Sequence, residues 1–91
     1  MIAKKVIFTG RVQGVGFRYS TKQLALGFEV IGWVRNCNDG TVEMQLQGEP
    51  DEVDEFIIEI VEESDLAGFV KEHSVAEIPP LQDVRGFSIK A

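Results

Sequence analysis

The chain is poor in the side chains that most often carry chemistry. It has one cysteine, one histidine, one tryptophan and one tyrosine in 91 residues. A single cysteine excludes an internal disulfide, and with a single histidine it excludes a dedicated His/Cys zinc site. Basic residues are scarce: nine Lys and Arg stand against fifteen Asp and Glu, a net charge of −6. That balance argues against a duplex nucleic-acid binder that neutralises many phosphates. The strands also lack the paired aromatics that would stack on RNA. No apolar run approaches the roughly 18–20 residues needed to span a membrane. Met1 to Lys5 leads into a short apolar strand rather than a signal-peptide core, so the expectation is a soluble, cytoplasmic protein. There is no repeat, low-complexity tract or linker, and residues 1–91 read as one domain.

What is present suffices for a core. Hydrophobic residues make up 44% of the chain, an ordinary globular fraction, so no staple is required. The charge is divided unevenly. Met1 to Gln47 carries six basic and three acidic residues, or +3, whereas Gly48 to Ala91 carries three basic and twelve acidic, or −9. A locally positive site can therefore sit on a negative molecule.

Lys5 to Thr9 is short, β-branched and aromatic and reads as a strand. Gly10 to Gly16 holds three glycines in seven residues and reads as a loop. Phe17, Thr21, Leu24, Ala25 and Phe28 recur at three and four residues, which predicts a helix. Val30 to Arg35 is a second strand. Asn38-Asp39-Gly40 signals a tight turn with positive φ angles. Thr41 to Gln47 alternates, with Val42, Met44 and Leu46 facing one way and Glu43, Gln45 and Gln47 the other. Pro50 opens a second helix whose buried stripe is Val53, Phe56, Ile57, Ile60 and Val61. Val70 to Ile78 reads as a strand, Pro79-Pro80 breaks it, and Phe87 to Lys90 has the makings of a short terminal strand. The order β-α-β-β-α-β predicts the α+β class: a two-layer ferredoxin-like sandwich, a mainly antiparallel sheet with both helices on one face.

The glycine loop is the sharpest chemical feature. Backbone N–H groups in a strand-to-helix loop, with a helix N-terminus behind them, form a concave nest for an anion. Arg18, at the loop–helix junction, adds a forked donor that matches two oxygens of a phosphate. The loop lacks the Gly-Lys-Ser/Thr of a Walker loop and the spacing of a dinucleotide fingerprint. Two readings stand side by side, a plain turn and an anion cradle, and Arg18 favours the second. Asn36, where the second strand meets the turn, likewise either starts the turn or offers an amide that both donates and accepts and so suits holding a water. His73 falls on the fourth strand with exposure expected. Cys37 has no histidine to activate it. Ser20 and Thr21 lie one turn into a helix, and Asp51, Glu52, Asp54 and Glu55 lie on a solvated helix face. None of these makes a triad, a carboxylate dyad or a metal site, so catalysis would rest on positioning and electrostatics.

Two runs are similar to the two signatures of the acylphosphatases. Gly10-Arg11-Val12-Gln13-Gly14-Val15-Gly16-Phe17-Arg18 resembles the first. Gly32-Trp33-Val34-Arg35-Asn36, followed by Asp39-Gly40-Thr41-Val42-Glu43, resembles the second, and the interval from Arg18 to Asn36 also agrees. The likeness is close over residues 5 to 61 and loose beyond. It implies a small cytosolic hydrolase, expected as a monomer, that splits acyl phosphates into a carboxylate and inorganic phosphate with no metal or organic cofactor. It implies that Arg18 and the amides of Gln13, Gly14, Val15, Gly16 and Phe17 hold the phosphate, and that Asn36 positions the attacking water. An alternative on the same residues is a binding module that holds phosphate or another anion without turnover, and hydrolysis separates the two.

Overall fold

The computed structural model describes residues 1–91, in five strands and two helices. In chain order these are β1 (Ile2–Gly10), α1 (Phe17–Ala25), β2 (Val30–Asn36), β3 (Val42–Gly48), α2 (Pro50–Ile58), β4 (Val70–Ile78) and β5 (Phe87–Lys90). The strands form one sheet in the order β4-β1-β3-β2-β5. All neighbours are antiparallel except β2 and β5, which run parallel with Val34 opposite Ile89. The two-layer ferredoxin-like expectation holds, and the terminal segment is a fifth strand.

Period-two patterning decides which face each strand buries. Val6 and Phe8 of β1, Val30 and Val34 of β2, and Val42, Met44 and Leu46 of β3 point to the helices and are buried. They meet Phe17 and Ala25 of α1 and Val53, Phe56 and Ile57 of α2 in one core cluster. Phe8 and Phe17 stack at 5.0 Å, coupling β1 to the start of α1. The same parity carries β2 on from Val34 to Asn36, so Asn36 ends the strand on the helix side.

Several local expectations are corrected. The first helix stops at Ala25 rather than reaching Phe28. Leu26, Gly27 and Phe28 follow as tightened turns whose N–H groups reach the carbonyls of Gln23, Leu24 and Ala25. Phe28 still packs on Phe56, at 5.2 Å, which is why its periodicity looked helical. The Asn38-Asp39-Gly40 turn is wider than a two-residue hairpin: among its residues only Gly40, at φ 91°, has positive φ. The Asp39 carboxylate instead accepts from the Thr41 N–H and hydroxyl, at 3.1 and 2.7 Å. Those bonds hold the Asp39 carboxyl below its usual pKa. The second helix widens into a π turn over Glu59–Glu63, followed by a 3₁₀ segment, Asp65–Phe69, capped by Ser64 Oγ on the Leu66 N–H at 3.1 Å.

The acidic residues at the start of α2 divide. Asp54 pairs with Lys4 at 2.7 Å, and Glu52 accepts from the Glu29 N–H at 2.7 Å, just before β2. Asp51 and Glu55 remain exposed, as does His73 on β4.

Candidate active site

The loop between β1 and α1 is pinned at both ends. Val12 and Phe17 are buried, and the Arg11 N–H donates to the Phe69 carbonyl at 3.0 Å. Between these anchors Gly14 and Gly16 take left-handed conformations, at φ 80° and 76°. A Cβ at either would meet open space, so glycine is required there by backbone conformation and not by crowding. Gly16 is also the N-cap of α1 and carries no side chain to close the helix end.

The consequence is a run of uncommitted donors. From Val12 to Tyr19 no backbone N–H is bonded to a protein acceptor; the next, Ser20, donates to Gly16 at 3.0 Å. A native segment normally satisfies such groups with protein or water. Here they gather at the positive end of a helix dipole, where an anion is favoured.

This segment borders a hollow of about 210 Å³ lined by Val12, Gly14, Gly16, Phe17, Arg18, Tyr19, Asn36 and Ile89. Arg18 and Asn36, far apart in the chain, thus share one cavity. Arg18 stands in the first turn of α1 and Asn36 at the end of β2. The Asn36 Oδ1 is buried and accepts no hydrogen bond from the protein. No acidic side chain lines the hollow, and no three His, Cys, Asp or Glu side chains anywhere in the molecule converge as metal ligands.

Of the loop residues read from sequence, Gly14, Gly16, Phe17 and Arg18 line the hollow, whereas Gln13 and Val15 do not. The Gln13 side chain turns to the β2–β3 turn, its Nε2 donating to the Cys37 carbonyl at 2.8 Å and to the Thr41 carbonyl at 2.9 Å. Val15 packs against the core. Val12, Tyr19 and Ile89 are lining residues that the sequence reading missed. The pattern around Arg18 could have supplied Tyr19. Ile89 needed the parallel pairing of β5, which no local signal announces.

A larger hollow of about 880 Å³ lies by the opposite sheet face, lined by residues including Trp33, Gln45, Arg85 and Lys90. Unlike the smaller hollow, it has an acidic side chain, Asp83, among its lining residues. The Lys90 ammonium already lies 4.5 Å from the Trp33 ring centre. Arg35, on the same face, is bound through Nε and Nη2 to Glu43 at 2.9 and 2.7 Å. Burial opposes the Glu43 charge, but bonds from Gln45 and Arg35 outweigh it and hold its carboxyl below the usual range.

The fold comes first: a ferredoxin-like α+β domain with a hollow at its opening strand-to-helix loop. The Acylphosphatase family model matches residues 4–89. An acylphosphatase of Oceanobacillus iheyensis is 40% identical over 86 residues, 94% of each chain. One from Bacillus pumilus is 38% identical over 90 residues, 99% of each. The crystal structure of acylphosphatase from Bacillus subtilis superposes with a TM-score of 0.88 at 35% identity, covering both chains fully. The chain belongs to the acylphosphatase family and is an acylphosphatase enzyme. Its substrate is accordingly an acyl phosphate, and phosphate is a product.

Proposed function

We propose that the loop amides and Arg18 hold the phosphoryl group of an acyl phosphate while Asn36 positions the water that attacks it. The observation that carries this reading is the shared hollow: the N-terminal donors of α1, the only lining cation and Asn36, whose amide oxygen has no protein donor, come together at one space. Gly14, Gly16 and Phe17, which line the hollow, act through their backbone N–H groups and Arg18 through its guanidinium; the N–H groups of Gln13 and Val15, unpaired in the same loop, complete the cradle.

The chemistry asks for little else. A phosphoryl group in transfer spreads negative charge over its equatorial oxygens, and catalysis is mostly positioning and electrostatic stabilisation. Preformed N–H dipoles meet that charge without reorganising. The Asn36 side-chain amide hydrogen-bonds the attacking water and aims the water's lone pair at phosphorus. As the new P–O bond forms, the bond between phosphorus and the acyl oxygen breaks, and its electron pair leaves on the carboxylate. The water's proton passes to a phosphate oxygen. A carboxylate is a good leaving group, so no strong general acid is needed and the reaction proceeds without a metal.

The test is hydrolysis of acetyl phosphate and benzoyl phosphate by the wild-type protein beside Arg18→Ala and Asn36→Ala. The expected result is turnover by wild type, nearly abolished in both variants. Hydrolysis by wild type no faster than buffer, or variants as active as wild type, would refute the reading.

A further inference from the structure

We infer that Tyr19 and Ile89 form the wall that receives the acyl part of the substrate, and that the enzyme favours acyl phosphates whose acyl group is apolar and uncharged. This rests on the reading that the loop and Arg18 hold the phosphoryl group, and it adds the specificity that reading leaves open.

The lining of the hollow separates into groups with different duties. Gly14, Gly16 and Arg18 offer polar donors. Val12 and Phe17 are apolar, but at 1% and 2% exposure they are spent in the core. Tyr19 and Ile89 are different, standing 64% and 40% exposed beside the same space. They come from separate elements, the first turn of α1 and the last strand. Ile89 lies opposite Val34 across the β2–β5 pairing, two residues before Asn36. Two large apolar side chains left to water at the mouth of a polar site gain most from a ligand that covers them, because such a contact removes apolar surface from water.

Charge points the same way. Arg18 is the only cationic side chain lining the hollow. Lys90 follows Ile89 in sequence, but strand alternation turns it to the other sheet face, over Trp33. Arg35 is likewise turned away from Asn36 and held by Glu43. A second anionic group on the acyl part finds no partner here and approaches a chain of net charge −6.

The experiment compares kcat/KM for benzoyl phosphate, acetyl phosphate and succinyl phosphate, which are respectively planar and apolar, small, and carboxylate-bearing. It uses wild type, Tyr19→Ala, Tyr19→Phe and Ile89→Ala, with inhibition by inorganic phosphate measured on each. Wild type is expected to favour benzoyl phosphate and to take succinyl phosphate least well. Each alanine variant should lower the benzoyl-to-acetyl ratio about tenfold, the order expected for lost apolar pocket contacts. The change should fall mainly on KM, Tyr19→Phe should retain the ratio, and phosphate inhibition should shift less than about twofold. A ratio unmoved by both alanine variants, succinyl phosphate used as well as benzoyl phosphate, or an equal loss of phosphate inhibition would overturn the inference. Wild-type hydrolysis of acetyl phosphate keeps the underlying reading intact in each of those cases. Absence of hydrolysis of all three substrates would remove the reading and the inference together.

Discussion

The side-chain amide of Gln13 donates to the Thr41 carbonyl at 2.9 Å, and with its second bond, to Cys37, it fastens the glycine loop to the turn that follows Asn36. The loop and Asn36 belong to different strand connections, and this amide is a direct link between them. These bonds predict a positioning role for the Gln13 side chain, separate from that of its N–H. Gln13→Ala should lose about 1–3 kcal/mol of stability, two hydrogen bonds at their usual net worth. It should also lower kcat about tenfold with a smaller change in KM, because misplacement of reacting groups costs rate. Denaturant titration and steady-state kinetics on one preparation test both. A stability loss with kcat unchanged would reduce the bond to a structural tie.

The proposed role of Asn36 predicts a trade of stability against function. Its Oδ1 is buried without a protein donor, and an unsatisfied buried acceptor typically costs about 1–3 kcal/mol. Asn36→Ala should therefore unfold at an equal or higher temperature than wild type while kcat falls about 10²-fold, with inorganic phosphate inhibiting nearly as well as before. Thermal melts beside kinetics check this. A clear drop in melting temperature would mean the side chain is a structural residue.

Glu43 makes stability depend on pH. Its folded carboxyl titrates below its ordinary value of 4.5, so the stabilisation is complete above that value and is lost as pH falls through the lowered one. Glu43→Gln should cost about 1 kcal/mol near neutral pH, where charge-assisted bonds are replaced by neutral ones. The gap to wild type should close as pH falls below 4.5. Urea midpoints across that range measure it, and a gap independent of pH would contradict the assignment.

The division of charge predicts weak steering of the substrate. The half of the chain bearing the loop and Asn36 carries +3, but the whole carries −6. Raising ionic strength from about 0.01 M to about 1 M shortens the screening length from ~30 to ~3 Å. Over that range KM for acetyl phosphate should stay flat or fall. A steep rise would show that local attraction by Arg18 governs encounter.

The sheet was legible because burial on one face imposes period two. Val42, Met44 and Leu46 announce their strand, and continuing Val30, Gly32 and Val34 by two residues gives Asn36 its side of the sheet. The loop was legible because glycines in left-handed conformations leave a mark in composition. What escaped depends on partners distant in sequence. The end of α1 was hidden because Phe28 packs on Phe56 without being helical. The turn around Asp39 was misjudged because its carboxylate bonds to Thr41 and closes a wider loop. Ile89 entered the hollow only through a parallel pairing with β2, and the Gln13 bond to Thr41 spans 28 residues.

An amide NMR titration with inorganic phosphate asks whether the loop amides and Arg18 close on a phosphoryl group. The resonances of Gly14 to Tyr19 should move together along one saturable curve, and Arg18→Ala should weaken the apparent affinity at least about tenfold, with the fold retained. Shifts gathered instead on the opposite sheet face around Trp33 and Lys90, or loop shifts that Arg18→Ala leaves at full affinity, would contradict it.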